Sequence, residues 1–129
     1  MPRFARTCAL LAALALLAIV PAASLGSGPS AHAAAKSCHL SYHQQTHLGT
    51  TYVLSLRVRV TKCGDGRRIV KAFQKCRKEH HHRNGKCHHR VFGYKCSEKR
   101  FNKSSVSFDS KVRCSKSNRR VWHTYTQNT

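Results

Sequence analysis

The clearest alternation of apolar and polar positions lies in "YVLSLRVRV", residues 52–60. Every second residue is apolar, and the intervening positions include Arg57 and Arg59. A period of two is typical of a strand with one buried face and one solvated face. We therefore expect a strand whose arginines point outward and whose core side chains are Tyr52, Leu54, Leu56, Val58 and Val60.

The pattern changes to a helical period after "CGDG". Apolar residues now recur at i, i+1, i+4 and i+7, which is the stripe of an amphipathic helix. The spacing predicts a helix over 66–80, with Gly64 or Asp65 near its start as the cap, and a turn at Asn84-Gly85. The residues of the apolar stripe are Ile69, Val70, Phe73 and Cys76.

Three further segments have the pattern of strands, at 90–96, 106–114 and 119–127. The second places Val106, Phe108, Val112 and Cys114 on one face, with Ser110 interrupting, and "SKSN" is a hairpin turn into the third. In the third, either Val121/His123/Tyr125 or Trp122/Thr124/Thr126 points inward, and the pattern does not choose between them. The order strand, helix, three strands predicts a small α+β domain in which one helix packs on an antiparallel sheet of about four strands.

The first residues have the pattern of an export signal. Arg3 and Arg6 precede an uncharged apolar run of 13 residues, and "AHAAA" supplies the small residues that precede cleavage. A membrane span needs about 20 residues, so we expect no anchor. We expect a signal peptide over 1–33 with cleavage near 33–35, a polar histidine-containing segment over 34–50, and one domain over 51–129, secreted as a monomer.

Cleavage changes the charge and cysteine counts. It removes two of the 24 basic residues and one of the seven cysteines, which leaves 22 basic residues against 4 acids, a net charge of +18. Six cysteines in a short exported chain are typical of a disulfide framework, which a small self-repelling domain needs. We favour a Cys76–Cys87 bond and leave the pairing of the others open: Cys38, Cys63, Cys96 and Cys114.

Three segments, "CGDGRRIVKAFQKC", "RVFGYKC" and "KVRCSKSNRRVWHTY", together resemble a pattern in small exported cysteine-framed bacterial domains of unassigned function. The resemblance covers about 58–125 and implies a helix-plus-sheet fold, and it implies no chemistry. The histidine-rich segment between Cys76 and Cys87 lies outside that pattern.

The histidine-rich stretch "KCRKEHHHRNGKCHHR" offers imidazoles to Zn²⁺, Cu²⁺ or Ni²⁺. It lacks the close cysteine pair of a structural zinc site, and its cations repel a dication. We therefore interpret it as a solvated basic loop closed by a disulfide, with weak divalent metal binding as the alternative and no dedicated cofactor. The metal ligands of that alternative are His80, His82, His88 and His89.

Polyanion binding is the function that the charge favours, because +18 on a small domain attracts any dense anion. The partner could be extracellular nucleic acid or an anionic envelope polymer, and Tyr94, Phe101 or Trp122 could stack on bases. The alternative is a structural exported domain without a dedicated ligand. The candidate anion-binding residues are Arg57, Arg59, Arg83, Lys86, Arg90, Lys111, Arg113, Arg119 and Arg120.

An enzyme is the least favoured class. Four carboxylates form no evident acid–base pair, and neither a nucleophile motif nor a phosphate loop is present. A ribonuclease-like reaction on histidine and lysine remains the one catalytic alternative, and His123 is its candidate, although such a residue is more often a solvated strand position.

Overall fold

The computed structural model describes residues 33–79 and 82–129, so residues 1–32 of the expected signal peptide lie outside the described residues, as does His80. Within them the chain forms a short 3₁₀ helix, His82–Asn84, two α-helices and five strands. The α-helices are α1, Tyr42–His47, and α2, Cys63–Glu79. The strands are β1, Lys36–Ser37; β2, Tyr52–Arg59; β3, Lys95–Phe101; β4, Ser107–Lys116; and β5, Arg119–Asn128. None of the described helices is long and apolar enough to cross a membrane.

The sheet has five strands in the order β1-β2-β5-β4-β3, and every neighbouring pair is antiparallel. The α+β class is therefore confirmed, but the predicted count of about four strands is wrong. The additional strand is β1, a two-residue edge strand too short to leave a pattern in the sequence.

Helix α2 packs on the inner face of β2 and β5 through the apolar stripe that the spacing predicts. Gly66 allows the close approach, because a Cβ there would lie 2.7 Å from Val58 Cγ1. The helix begins at Cys63, earlier than expected, so Asp65 is not its cap. Asp65 instead lies in the first turn, 3.8 Å from Arg68.

Strand β2 forms as predicted, but its inward side chains differ from the expected set. A β-bulge between Val53 and Ser55 inserts one residue, so Val53 is buried and Leu54 is 51% exposed. The expected alternation holds only between the bulge and the end of the strand, where Leu56 and Val58 are buried. Val60, also expected in the core, lies beyond the strand and is 44% exposed.

The position predicted for the third strand, 90–96, is wrong, because β3 spans Lys95–Phe101. Val91 and Tyr94 form an isolated bridge around a tight turn at Phe92 and Gly93, both of which have positive φ. The chain leaves this turn directly into β3, of which the predicted strand includes only Lys95 and Cys96.

Strands β4 and β5 form the hairpin that the sequence predicts, with its turn at Ser117. The structure resolves the open choice in β5, because Val121, His123 and Tyr125 are buried in the core. The intervening Trp122, Thr124 and Thr126 therefore point to the opposite face.

Three disulfides join Cys38 to Cys63, Cys76 to Cys87 and Cys96 to Cys114. The pairing favoured from the sequence is among them. The first attaches the polar N-terminal segment to the start of α2, and Leu40 and Leu48 of that segment are buried. The third links directly opposed residues of β3 and β4.

Candidate functional site

The solvent-facing side of the sheet, which we call the open face, lies opposite α2 and is strongly basic. Its strands present outward every second residue, and seven of those residues are cations. One carboxylate, Asp109, points to the same side, where it accepts hydrogen bonds from Thr126 and Asn102. The seven cations are Arg57, Arg59, Lys95, Lys99, Lys111, Arg113 and Arg120.

Trp122 lies in the middle of the open face. The register places Trp122 directly across from Arg57 of β2 on one side and from Arg113 of β4 on the other. Neighbouring strands are about 4.8 Å apart, so the indole has a guanidinium-bearing residue on each adjacent strand. The next row along the strands pairs Thr124 with Lys111.

A concavity of about 300 Å³ opens on this face beside the indole. Among the residues that line it are Trp122, Arg57 and Lys111. Ser55 and Thr124 also line it, and their hydroxyl oxygens lie 2.6 Å apart. The remaining lining residues are Ala35 and the buried Val112 and His123. The arrangement joins an apolar aromatic surface to cations on both sides.

The three aromatic candidates for base stacking have different environments. Tyr94 is buried on the helix side, where Lys116 lies 5.9 Å from its ring, so it cannot stack on a ligand. Phe101 is partly exposed on the open face, with Lys111 Nζ 5.2 Å from its ring centroid. Trp122 and Phe101 therefore remain as candidates.

Lys95 and Lys99 belong to the open face but were missed from the sequence. Both are exposed on β3, and Lys99 lies directly across from Lys111. The alternation Lys95, Ser97, Lys99, Phe101 was available as a signal. It lies mostly beyond Cys96, where the sequence pattern predicts the end of a strand.

The remaining candidate anion-binding residues lie away from the open face. Arg83, Lys86 and Arg90 are exposed on the loop that follows α2. Arg119 lies on the helix side of the β4–β5 turn, beside Phe92. The open face thus brings together five of the nine residues expected from the sequence: Arg57, Arg59, Lys111, Arg113 and Arg120.

Two arginines attach the basic loop to the body of the protein. Arg77 donates hydrogen bonds to the carbonyls of Gly85 at 3.1 Å and Arg83 at 2.7 Å. Arg100 donates to the carbonyls of Asn84 at 2.8 Å and Gly85 at 2.5 Å. Since a guanidinium has several donors in a fixed plane, each arginine can bind two carbonyls at once.

Glu98 lies between these two arginines and offsets one of their two positive charges. Its Oε1 accepts hydrogen bonds from Arg100 at 2.7 Å, from Tyr125 and from Ser110, and lies 3.8 Å from Arg77 Nε. Burial alone would raise the pKa of the Glu98 carboxyl, but the hydrogen bonds from Arg100 and Tyr125 and the charge of Arg77 hold it below its ordinary value. Glu98 therefore has a structural role, because its carboxylate already binds the side chains of its neighbours in the protein.

The candidate metal site has no free thiolate. Among the described residues, the one group of three close metal-ligating side chains is Cys76, Cys87 and His89. Its two sulfurs are bonded to each other, and His89 Nδ1 lies 3.5 Å from Cys76 Sγ. A disulfide sulfur carries no negative charge to offer a cation, so this cluster lacks the ligands of a zinc site.

The other candidate metal ligands are not assembled into such a group within the part of the chain that the structure describes. His82 and His88 are both exposed, on the 3₁₀ helix and on the loop after it. His80 lies outside the described residues.

His123 is buried, which contradicts its interpretation as a solvated strand position. The side chain is 1% exposed, and neither ring nitrogen reaches a hydrogen-bond partner among the described residues. It packs edge-on against Phe73 and beside Tyr125. Burial lowers the pKa of its imidazole from 6.5 to about 3, so the ring is neutral at ordinary pH and inaccessible to a substrate.

Comparison with protein-family models, with curated proteins and with solved structures finds no match to this chain. The resemblance to small exported domains therefore stays an expectation, and the site carries the functional argument.

Proposed function

We propose that this protein is an exported cationic domain that binds polyanions through its open face. The observation that carries the proposal is the gathering of seven cations on one side of a rigid sheet, with a single carboxylate beside them. Such a surface attracts a dense anion over a distance and releases the counterions of that anion on contact.

The rigidity of the sheet supports this face over the basic loop. Hydrogen bonds along β2, β5 and β4 fix the spacing of Arg57, Arg113 and Lys111. Cations on rigid strands lose less conformational freedom on binding than cations on a loop. The loop cations, by comparison, extend from a short segment that Arg77 and Arg100 hold by its backbone.

Export is part of the same proposal. Three disulfides in a chain of this size are typical of an oxidising compartment, and the leader-like pattern of the first residues points the same way. Expression in an exporting host, followed by determination of the N-terminus of the secreted protein, tests it.

The binding test compares two variants that lose the same charge. The first replaces Arg57, Lys111 and Arg113 of the open face by Gln. The second replaces Lys71, Lys75 and Lys78, which are exposed on α2, by Gln. Each is titrated with inorganic polyphosphate and with duplex DNA across a salt series, in the presence of a chelator so that no metal bridges histidine and ligand.

We expect the open-face variant to bind both ligands more weakly at low salt than the helix variant. The slope of log K against log salt concentration should be smaller in magnitude than that of the wild type by about 2 to 3. The variant loses three cations, and each contact to a phosphate contributes about 0.7 to 0.9 to the slope. Equal losses in the two variants would mean that total charge alone matters. An absence of binding at physiological salt would favour a structural domain without a ligand.

A further inference from the structure

We infer that the ligand of the open face is single-stranded nucleic acid, one base of which stacks on Trp122 while its neighbouring phosphates contact Arg57, Arg113 and Lys111. The inference rests on the proposed function and narrows it, because it names the chemistry that the open face recognises beyond charge.

The first step of the argument is the position of the indole. Trp122 is partly exposed, points away from α2 and borders an open concavity. The residues that flank it across the sheet are Arg57 and Arg113, so no apolar side chain adjoins it in its row. Among the described residues outside the sheet, Ala35 borders the same concavity, and the space beside the ring is open to a ligand.

The second step is the chemistry of the concavity. Its volume of about 300 Å³ lies at the lower end of the range for pockets that hold small organic groups. The lining supplies an aromatic surface, the hydroxyls of Ser55 and Thr124, and the cations Arg57 and Lys111. A planar heterocycle that carries polar edges and is joined to phosphates matches each of these features, whereas a linear phosphate polymer has no ring to place against the indole.

The third step distinguishes single strands from duplexes. A base within a duplex is covered on both faces by its neighbours, so it cannot stack on a protein side chain without leaving the helix. Unpaired bases are free to do so, and aromatic platforms in basic grooves are a general means of binding them. Phe101, close to Lys111 on the same face, offers a second ring further along the sheet.

The experiment uses the oxidised protein purified from an exporting host and three ligands with equal numbers of phosphates. They are a single-stranded oligonucleotide, tested as both oligo-dT and oligo-U, an abasic oligonucleotide with the same backbone, and inorganic polyphosphate. The chain contains one tryptophan, so fluorescence excited where tyrosine does not absorb reports on Trp122 alone.

We expect both base-carrying oligonucleotides to quench Trp122 and to bind about 5- to 100-fold more tightly than the abasic strand, which is the range for one stacked base. Trp122→Leu should remove this advantage and leave binding of polyphosphate unchanged, whereas Trp122→Phe should keep part of it.

Different outcomes of this experiment would refute the base site and the binding of polyanions. If all three ligands bind with equal affinity and without quenching, the base site is refuted and polyanion binding stands. If polyphosphate binds more tightly than the oligonucleotides, the face recognises a different class of polymer and the inference is overturned. If none of the three ligands binds, both proposals fail. Because the abasic strand is tested on the wild-type protein, misfolding of a Trp122 variant cannot decide the result.

Discussion

Replacing the buried His123 by Leu should remove most of the acid sensitivity of this fold between pH 7 and pH 5. The imidazole is enclosed by Phe73 and Tyr125 and lacks a hydrogen-bond partner among the described residues. The charged groups that face it are Arg77 and Glu98, whose effects on its pKa oppose each other and are smaller than that of burial.

The direction of the pH effect follows from the lowered pKa. In the unfolded chain the imidazole takes up a proton near pH 6.5, whereas in the folded protein it stays neutral down to a pKa of about 3. Between these values the unfolded state binds more protons, so the free energy of unfolding falls as the pH falls. The stabilisation is therefore complete above pH 6.5 and is lost progressively on acidification.

The free energy of unfolding changes by about 1.4 kcal/mol per pH unit in the range where the imidazole is charged in the unfolded chain and neutral in the folded one. The full interval from 6.5 to about 3 amounts to at most about 5 kcal/mol. The free energy of unfolding should therefore fall by about 2 kcal/mol between pH 6.5 and pH 5. The lowered pKa of Glu98 acts in the same direction, but only as the pH falls below the ordinary carboxyl value of 4.5.

The assay is urea unfolding at several pH values from 7 to 5, for the wild type, His123→Leu and the control His88→Leu. His88 is exposed, so its replacement removes an imidazole without changing the core. We expect the free energy of unfolding of His123→Leu to change little between pH 7 and pH 5. This variant should also be more stable than the wild type at pH 5, because an apolar side chain leaves no unpaired nitrogen in the core. A His123→Leu slope equal to that of the wild type, or a loss of slope in His88→Leu, would refute the reasoning.

Two further predictions concern the framework. Gly66→Ala should lower the free energy of unfolding by about 1–3 kcal/mol, because its Cβ would lie 2.7 Å from Val58, whereas Gly64→Ala, with open space around it, should be neutral or stabilising by up to about 1 kcal/mol. Thermal unfolding of the two variants side by side checks this, and equal effects would contradict the close packing. Replacing both Cys96 and Cys114 by Ser should cost about 3 kcal/mol, as expected for a cross-link across a sequence separation of 18, and urea unfolding that remains unchanged would count against it.

The elements with a strong period could be predicted from the sequence, and the irregular ones could not. The stripe of α2 and the β4–β5 hairpin follow from residue spacing alone. The bulge in β2 leaves no trace in the alternation, because Val53 and Leu54 are both apolar and either can serve as the inward residue. The turn at Phe92-Gly93 was mistaken for a strand for a similar reason, since its flanking residues are apolar.

In the candidate site, too, the residues on regular strands could be predicted and the buried charged residue could not. Arg57, Lys111 and Arg113 could be placed outward from the period of their strands. Arg77 could not be recognised as a core residue, because arginine is usually exposed and nothing in its neighbourhood identifies Glu98 as its partner. This ion pair joins α2 to β3, and its two residues are too far apart in the sequence for a local pattern to predict their contact.

The distribution of charge explains how such a basic domain folds and why one face remains available. In the interior, Arg77 and Arg100 are balanced by Glu98 and by the carbonyls of the loop that they hold, so these cations contribute to the fold. The cations of the open face have one carboxylate among them, and their mutual repulsion weakens the folded state. The disulfides offset this repulsion, since cross-links destabilise the unfolded chain without neutralising any charge. A polyanion bound to the open face would relieve the same repulsion, so the charges that weaken the free protein are those that favour its complex.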